Sequence, residues 1–300
     1  MPTPEPRQLQ RWGLVDLIFA FLAVLGVQLF ASVTGIMLQI GTRPTADGDL
    51  DMRLVTWISI IQPIAIVFIC MFIGLRCRVK FAALGWSLNR WIQDLRLGVI
   101  TFVVIAPPMY ILMAVVTLFS GKEYSHPIQE MVNKDHWMLI PAILMAVALA
   151  PLGEEFVFRV LLQGFLESMS KGRFRLEKFM LGRIHVDELQ AIDPQAVDPQ
   201  AVDPQAVDPQ AIDPQAVDTP METVLPWWPV FVSGILFGLA HFEYGMSWVP
   251  LIVLGIVLGW LYRVTNRIWP SLIVHFLVNA TSMTGFALTV LFGDPTKPVT

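Results

Sequence analysis

Between two apolar runs, Leu149-Ala-Pro151-Leu-Gly153-Glu154-Glu155-Phe-Val-Phe-Arg159-Val-Leu-Leu162 sets two adjacent carboxylates and an arginine. A charged side chain at membrane depth costs about 2.5 to 3.5 kcal/mol on insertion scales, so each needs a partner or a function. Glu155 precedes Arg159 by one helical turn, the favourable order for an ion pair along one helix face. Glu154 lies about 100° round the helix from Glu155, so the arginine takes one acid and leaves the other over. Pro151 and Gly153 predict a break or kink just upstream. Both acids would then sit in the first turn after it, where free N–H groups favour negative charge. The group is either an ion pair that locks a helix or a site in which Glu154 is a catalytic base.

Two further segments carry polar groups within apolar surroundings. Phe237-Gly-Leu-Ala-His241 places a histidine after the small residues Gly234, Gly238 and Ala240, which allow close helix approach. His275-Phe-Leu-Val-Asn279 puts two polar side chains on one helix face. At a rise of about 1.5 Å per residue, His241 lies about 18 Å beyond Pro229, His275 about 10 Å and Asn279 about 16 Å beyond Ile268, and Glu154 about 21 Å before Ser168. All four reach similar depth. The chemistry such a set could perform is attack by water on a carbonyl. A carboxylate with a histidine neighbour takes the proton from water, and His and Asn donors stabilise the developing oxyanion. No serine or cysteine has a convincing paired base, which argues against a covalent route.

The elements that must position these groups are membrane helices. The chain has 300 residues, 55% of them hydrophobic and 15% charged, with a mean hydropathy of +0.62. That is too apolar for a soluble domain of this size and predicts an all-α, polytopic helix bundle of about seven to eight transmembrane helices. Expected spans run over 17–40, 54–75, 97–119, 136–168, 227–242, 248–264 and 268–292, the fourth as two pieces joined at Pro151 to Gly153. Residues 1–135 form an N-terminal helical part and 136–293 the core that carries the polar groups, interrupted by a loop at 170–226. Most of the 20 Lys and Arg fall in alternate connections, so the N-terminus is placed in the cytoplasm. The apolar segment after Arg7 and Arg11 lacks a small-residue cleavage site and reads as a retained helix.

Between the second and third spans, Phe81 to Trp91 mixes aromatic and basic residues and is expected to anchor at the membrane interface. The loop holds a pentapeptide array that begins Ala191-Ile-Asp-Pro-Gln and decays at Ala216-Val-Asp-Thr-Pro220. A proline in every unit prevents helix and sheet, which predicts a solvated spacer. His126, His136 and His185 read as solvated, and Cys70 and Cys77 as inert. No basic face for nucleic acid is indicated.

Glu154-Glu155-x-x-x-Arg159, Phe237-x-x-x-His241 and His275-x-x-x-Asn279, in that order on successive apolar helices, resemble the three motifs of the CPBP family of intramembrane endopeptidases. That family includes CaaX prenyl endopeptidases and proteins of abortive infection and bacteriocin immunity. Gly255-x-x-x-Gly259-Trp-Leu-Tyr and Ile268-Trp-Pro-Ser extend the resemblance over residues 142–281. Val160 departs from the usual glycine, and the pentapeptide array lengthens a loop. The resemblance implies that Glu154 and His241 activate water, that His275 and Asn279 form the oxyanion site, and that Arg159 holds Glu155. It implies a membrane-associated or lipidated peptide or protein as substrate, a bacterial plasma membrane as location, and no required cofactor. Glu154, His241 and His275 also form a Zn²⁺-type donor set, so a metalloprotease is the alternative mechanism. Competing functions are a non-proteolytic immunity or scaffold protein and a proton-coupled transporter, the latter disfavoured by the lack of an inverted repeat.

Overall fold

The computed structural model describes residues 12–40, 52–120, 132, 138–170, 175–182, 226–243 and 245–292. The pentapeptide array and His126, His136 and His185 lie outside them. Among the described residues the chain is a helical bundle with no strand. The helices are α1 (Leu14–Met37), α2 (Met52–Cys77), α3 (Trp91–Ser120), α4 (Leu139–Met169), α5 (Leu176–Leu181), α6 (Trp228–Leu239), α7 (Trp248–Thr265) and α8 (Trp269–Phe292). Six of these are long and apolar enough to cross a membrane, while α6 is a shorter apolar helix. The outward faces of α1 to α3 leave residues such as Phe21, Leu29, Phe68 and Val104 exposed. Such faces suit a hydrocarbon surround.

The expected break at Pro151 to Gly153 does not occur: α4 runs unbroken for 31 residues. It instead widens twice, with π-helical stretches at Leu144–Leu149 and Phe156–Gln163 on either side of an α-helical segment, Ala150–Glu155. In a π stretch a carbonyl accepts from the N–H five residues on. Pro151 has none to give to Ala146, and Asn279 of α8 donates its side-chain N–H to the Ala146 carbonyl at 2.7 Å. The proline is therefore absorbed by widening and by a donor from another helix. Glu154 and Glu155 lie inside a continuous helix and have no free N–H groups of a helix start beneath them.

Other donors reach the second wide stretch. Ser233 Oγ donates to the Phe158 carbonyl at 2.8 Å and Trp12 Nε1 to that of Leu161 at 3.1 Å. Gln163 Nε2 donates to the Gly259 carbonyl at 2.9 Å, tying α4 to α7. The pair α6 and α7 approach so closely that a Cβ on Gly234 would lie 2.6 Å from the Ile256 nitrogen, and one on Gly255 2.7 Å from the Gly234 carbonyl oxygen. Only glycine permits that contact.

Charged groups pair at one end of the bundle. Arg76 bonds Asp16 and also donates to the Leu181 carbonyl at 2.9 Å. Arg267 grips the buried Asp94 in a forked contact, Nε to Oδ2 at 2.8 Å and Nη2 to Oδ1 at 2.6 Å. The expected interfacial segment has exposed Phe81, Leu88 and Trp91. It also turns inward: Leu84 is fully buried, and Trp86 stacks on Phe156 with centroids 6.1 Å apart. Gly85, at φ 87°, makes that turn possible and accepts from the Ile268 N–H at 3.1 Å.

Candidate active site

The α-helical segment between the two wide stretches presents its two acids in different directions. Glu155 is fully buried. Its Oε2 accepts from Arg159 Nε at 3.2 Å and its Oε1 from His275 Nδ1 at 3.1 Å. Arg159, equally buried, donates from Nη1 to Ser233 Oγ at 3.0 Å, and its guanidinium carbon lies 5.2 Å from the centre of the Phe237 ring. An ionised Glu155 can only accept, so His275 carries its proton on Nδ1 in the neutral form and turns Nε2 the other way.

Glu154 stands on that other side, with its side chain 29% exposed. Its Oε2 is 3.7 Å from His275 Nε2 and 3.8 Å from His241 Nε2. His241 lies in the turn just beyond α6, not within a span as the apolar run predicts. Its Nδ1 is 2.9 Å from the Phe237 carbonyl, an acceptor, so Nδ1 is the protonated nitrogen here too. Two unprotonated imidazole nitrogens thus lie across from one carboxylate oxygen at distances too long for direct hydrogen bonds. A water molecule would bridge gaps of this size.

The structure therefore gathers Glu154, Glu155, Arg159, His241 and His275. Asn279 is set apart: one N–H of its amide is engaged by Ala146, about two turns before Glu154 on α4. Its second N–H is the one left for a ligand. Ser233 escaped the sequence reading as part of the site, and Phe237 entered it only as a motif residue, without its ring's contact with Arg159. Ser233, Phe237 and His241 repeat at one-turn spacing, the first two on one face of α6 and the third in the turn that follows it, and this spacing marks them.

Ligands on a tetrahedral Zn²⁺, each about 2.0 to 2.1 Å from the ion, stand about 3.3 Å apart. The oxygen-to-nitrogen separations around Glu154 are wider than this, and among the described residues no group of three or more His, Cys, Asp or Glu is arranged to hold a metal ion. In this arrangement the donors do not fit a Zn²⁺ centre.

Fold and site together define a multi-pass helical membrane protein with carboxylates and imidazoles converging inside the bundle. Residues 216–281 match the family model for Type II CAAX prenyl endopeptidase Rce1-like proteins. This agrees with the resemblance drawn from the motifs and points to protease activity of the CAAX type. The matched stretch carries His241, His275 and Asn279, whereas Glu154, Glu155 and Arg159 precede it. No curated protein and no solved structure matches the chain.

Proposed function

We infer that the protein is an intramembrane endopeptidase that hydrolyses a peptide bond in a membrane-associated or lipidated protein or peptide by direct attack of water. The observation that carries this reading is the convergence of His241 Nε2 and His275 Nε2 on Glu154 Oε2 at 3.8 and 3.7 Å. A water held among these three acceptors donates a hydrogen bond to each of two of them and turns its lone pairs toward a substrate carbonyl. Glu154, assisted by His241, accepts the proton as the water attacks.

His275 has the buried Glu155 carboxylate behind it, which stabilises the imidazolium once a proton reaches Nε2. Glu154 passes the proton it took from water to this Nε2, and the Nε2–H then donates to the oxyanion and gives the proton to the leaving amine. The second N–H of Asn279 is the further oxyanion donor. Arg159 acts through Glu155, fixing its carboxylate so that His275 keeps one tautomer and one orientation. The Lys and Arg bias of the connections supports a cytoplasmic location for the bundle end at which Asp16, Arg76, Asp94 and Arg267 pair.

The test is cleavage of a quenched panel of lipidated and membrane-embedded peptides by purified protein, wild type against Glu154→Gln, each with and without a strong chelator. Loss of roughly 10²–10⁴-fold in the variant, with wild-type activity retained in chelator, is expected. Loss of wild-type activity in chelator would replace the metal-free route by a metalloprotease. A cellular phenotype that survives Glu154→Gln would replace the protease by a scaffold or immunity protein.

A further inference from the structure

Beside Glu154, away from the two histidines' own helices, a cleft of about 150 Å³ opens between α1, α2 and α4. Its walls include Val24 of α1, Gln62, Ile66 and Ile69 of α2, and Gly153 and Glu154 of α4. Apart from Glu154, Gln62 is the polar side chain in this wall. It lies in the interior of a strongly apolar span, and among the described residues it makes no hydrogen bond. Gly153 is what gives its amide room: a methyl group there would stand 3.2 Å from Gln62 Nε2.

An apolar cavity of about 150 Å³ holds one benzene-sized group. That is the size of a single leucine or phenylalanine side chain and far less than a prenyl chain. A glutamine amide offers both a donor and an acceptor, the complement of a peptide group. An unpaired amide at this depth is costly unless something pairs with it.

We propose that this cleft is the subsite for one apolar side chain flanking the scissile bond, and that Gln62 orients the substrate by pairing with the adjacent peptide group. The proposal rests on Glu154 being the base described above, since the cleft shares that residue with the site. Gly153 then sets specificity: the space it leaves fixes how large a side chain is accepted. Gln62 is a positioning residue whose contact is made equally in ground and transition states.

Two measurements on the full chain in lipid discs test this. In the first, peptides varied between Ala, Leu and Phe at each side of the cleaved bond are compared on wild type, Gly153→Ala and Gln62→Leu. Gly153→Ala is expected to shift preference from Leu or Phe toward Ala by about 10-fold or more, the discrimination one lost or added carbon gives. Gln62→Leu is expected to raise KM across the panel with little change in kcat. An unchanged preference in Gly153→Ala overturns the proposal. In the second, the same peptides carrying a diazirine analogue of leucine are photolysed on Glu154→Gln protein. Cross-links to Val24, Ile66 or Ile69 are expected, and their loss in a Gly153→Val background. Cleavage by wild type with cross-links elsewhere overturns the subsite and leaves the protease intact. Cross-links in the cleft without cleavage overturn the protease and leave the binding site. Neither cleavage nor cross-links in the cleft removes both.

Discussion

Glu155 and His275 meet at 3.1 Å across α4 and α8, the carboxylate fully buried and the imidazole nearly so. The contact joins the ion pair on one side of α4 to the three-sided gap on the other. It also makes Glu155 a shared acceptor, held by Arg159 through one oxygen and by His275 through the other.

Removing one member of that pair is therefore expected to cost more than removing both. Glu155→Gln leaves the Arg159 guanidinium buried without its counter-charge, a loss of about 3 to 5 kcal/mol. Combining Glu155→Gln with Arg159→Met should recover part of the lost thermal stability in detergent without restoring cleavage. Stability losses that simply add would show that the two charges do not depend on each other.

Ser233 does two jobs with one hydroxyl, accepting from Arg159 and donating to the Phe158 carbonyl. Ser233→Ala removes the acceptor of a buried Arg159 N–H and is expected to lower stability by about 1 to 3 kcal/mol. Cleavage should fall less than in Glu154→Gln. Equal losses of activity would place Ser233 in contact with the reacting groups.

Asn279 and Pro151 are coupled through the Ala146 carbonyl. Pro151→Ala supplies a backbone N–H where the side chain of Asn279 now donates, so Asn279→Ala should cost less stability in that background. The expected coupling is that of one hydrogen bond, about 1 kcal/mol. Asn279→Asp should be worse than Asn279→Ala, because a carboxylate there faces a carbonyl oxygen with no proton between them. Thermal unfolding of the four-member cycle gives the coupling directly, and a value near zero would sever the link.

The α6–α7 contact positions His241 from a distance. A Cβ on Gly238 would fall 2.7 Å from the Ile252 nitrogen, so Gly238→Val must part the two helices. Activity is expected to fall at least 10-fold while the chain still inserts and pairs Asp94 with Arg267. Full activity in a correctly inserted Gly238→Val protein would show that His241 tolerates displacement.

Much of the site was legible because polar residues are conspicuous in apolar spans. The one-turn spacing of Glu155 and Arg159 is a local signal, and the structure forms that contact. Depth along each span brought His275 and His241 to the level of Glu154. Three features were not legible. The break expected at Pro151 presumes that a lost N–H goes unreplaced, and the replacement at the Ala146 carbonyl comes from Asn279, 133 positions beyond Ala146. The unbroken course of α4 is thus a tertiary property. Gln62 gave no pattern at all, being a single residue whose neighbour across the cleft is a glycine. Likewise, the apolar run through Phe242 does not reveal that α6 stops at Leu239 and leaves His241 in a turn.

The two wide stretches of α4 give the helix an uneven tolerance to changes in length. A π turn holds one residue more than the same stretch of α-helix needs, so deleting Val147 can be absorbed where it occurs, by tightening to α geometry, with the directions of Glu154 and Glu155 unchanged. Deleting Leu152 has no such outlet: it would turn the two acids by about 100° relative to the chain before them. Insertions and deletions in homologous chains should accordingly collect at 144–149 and 156–163, and the turn between them should keep its length.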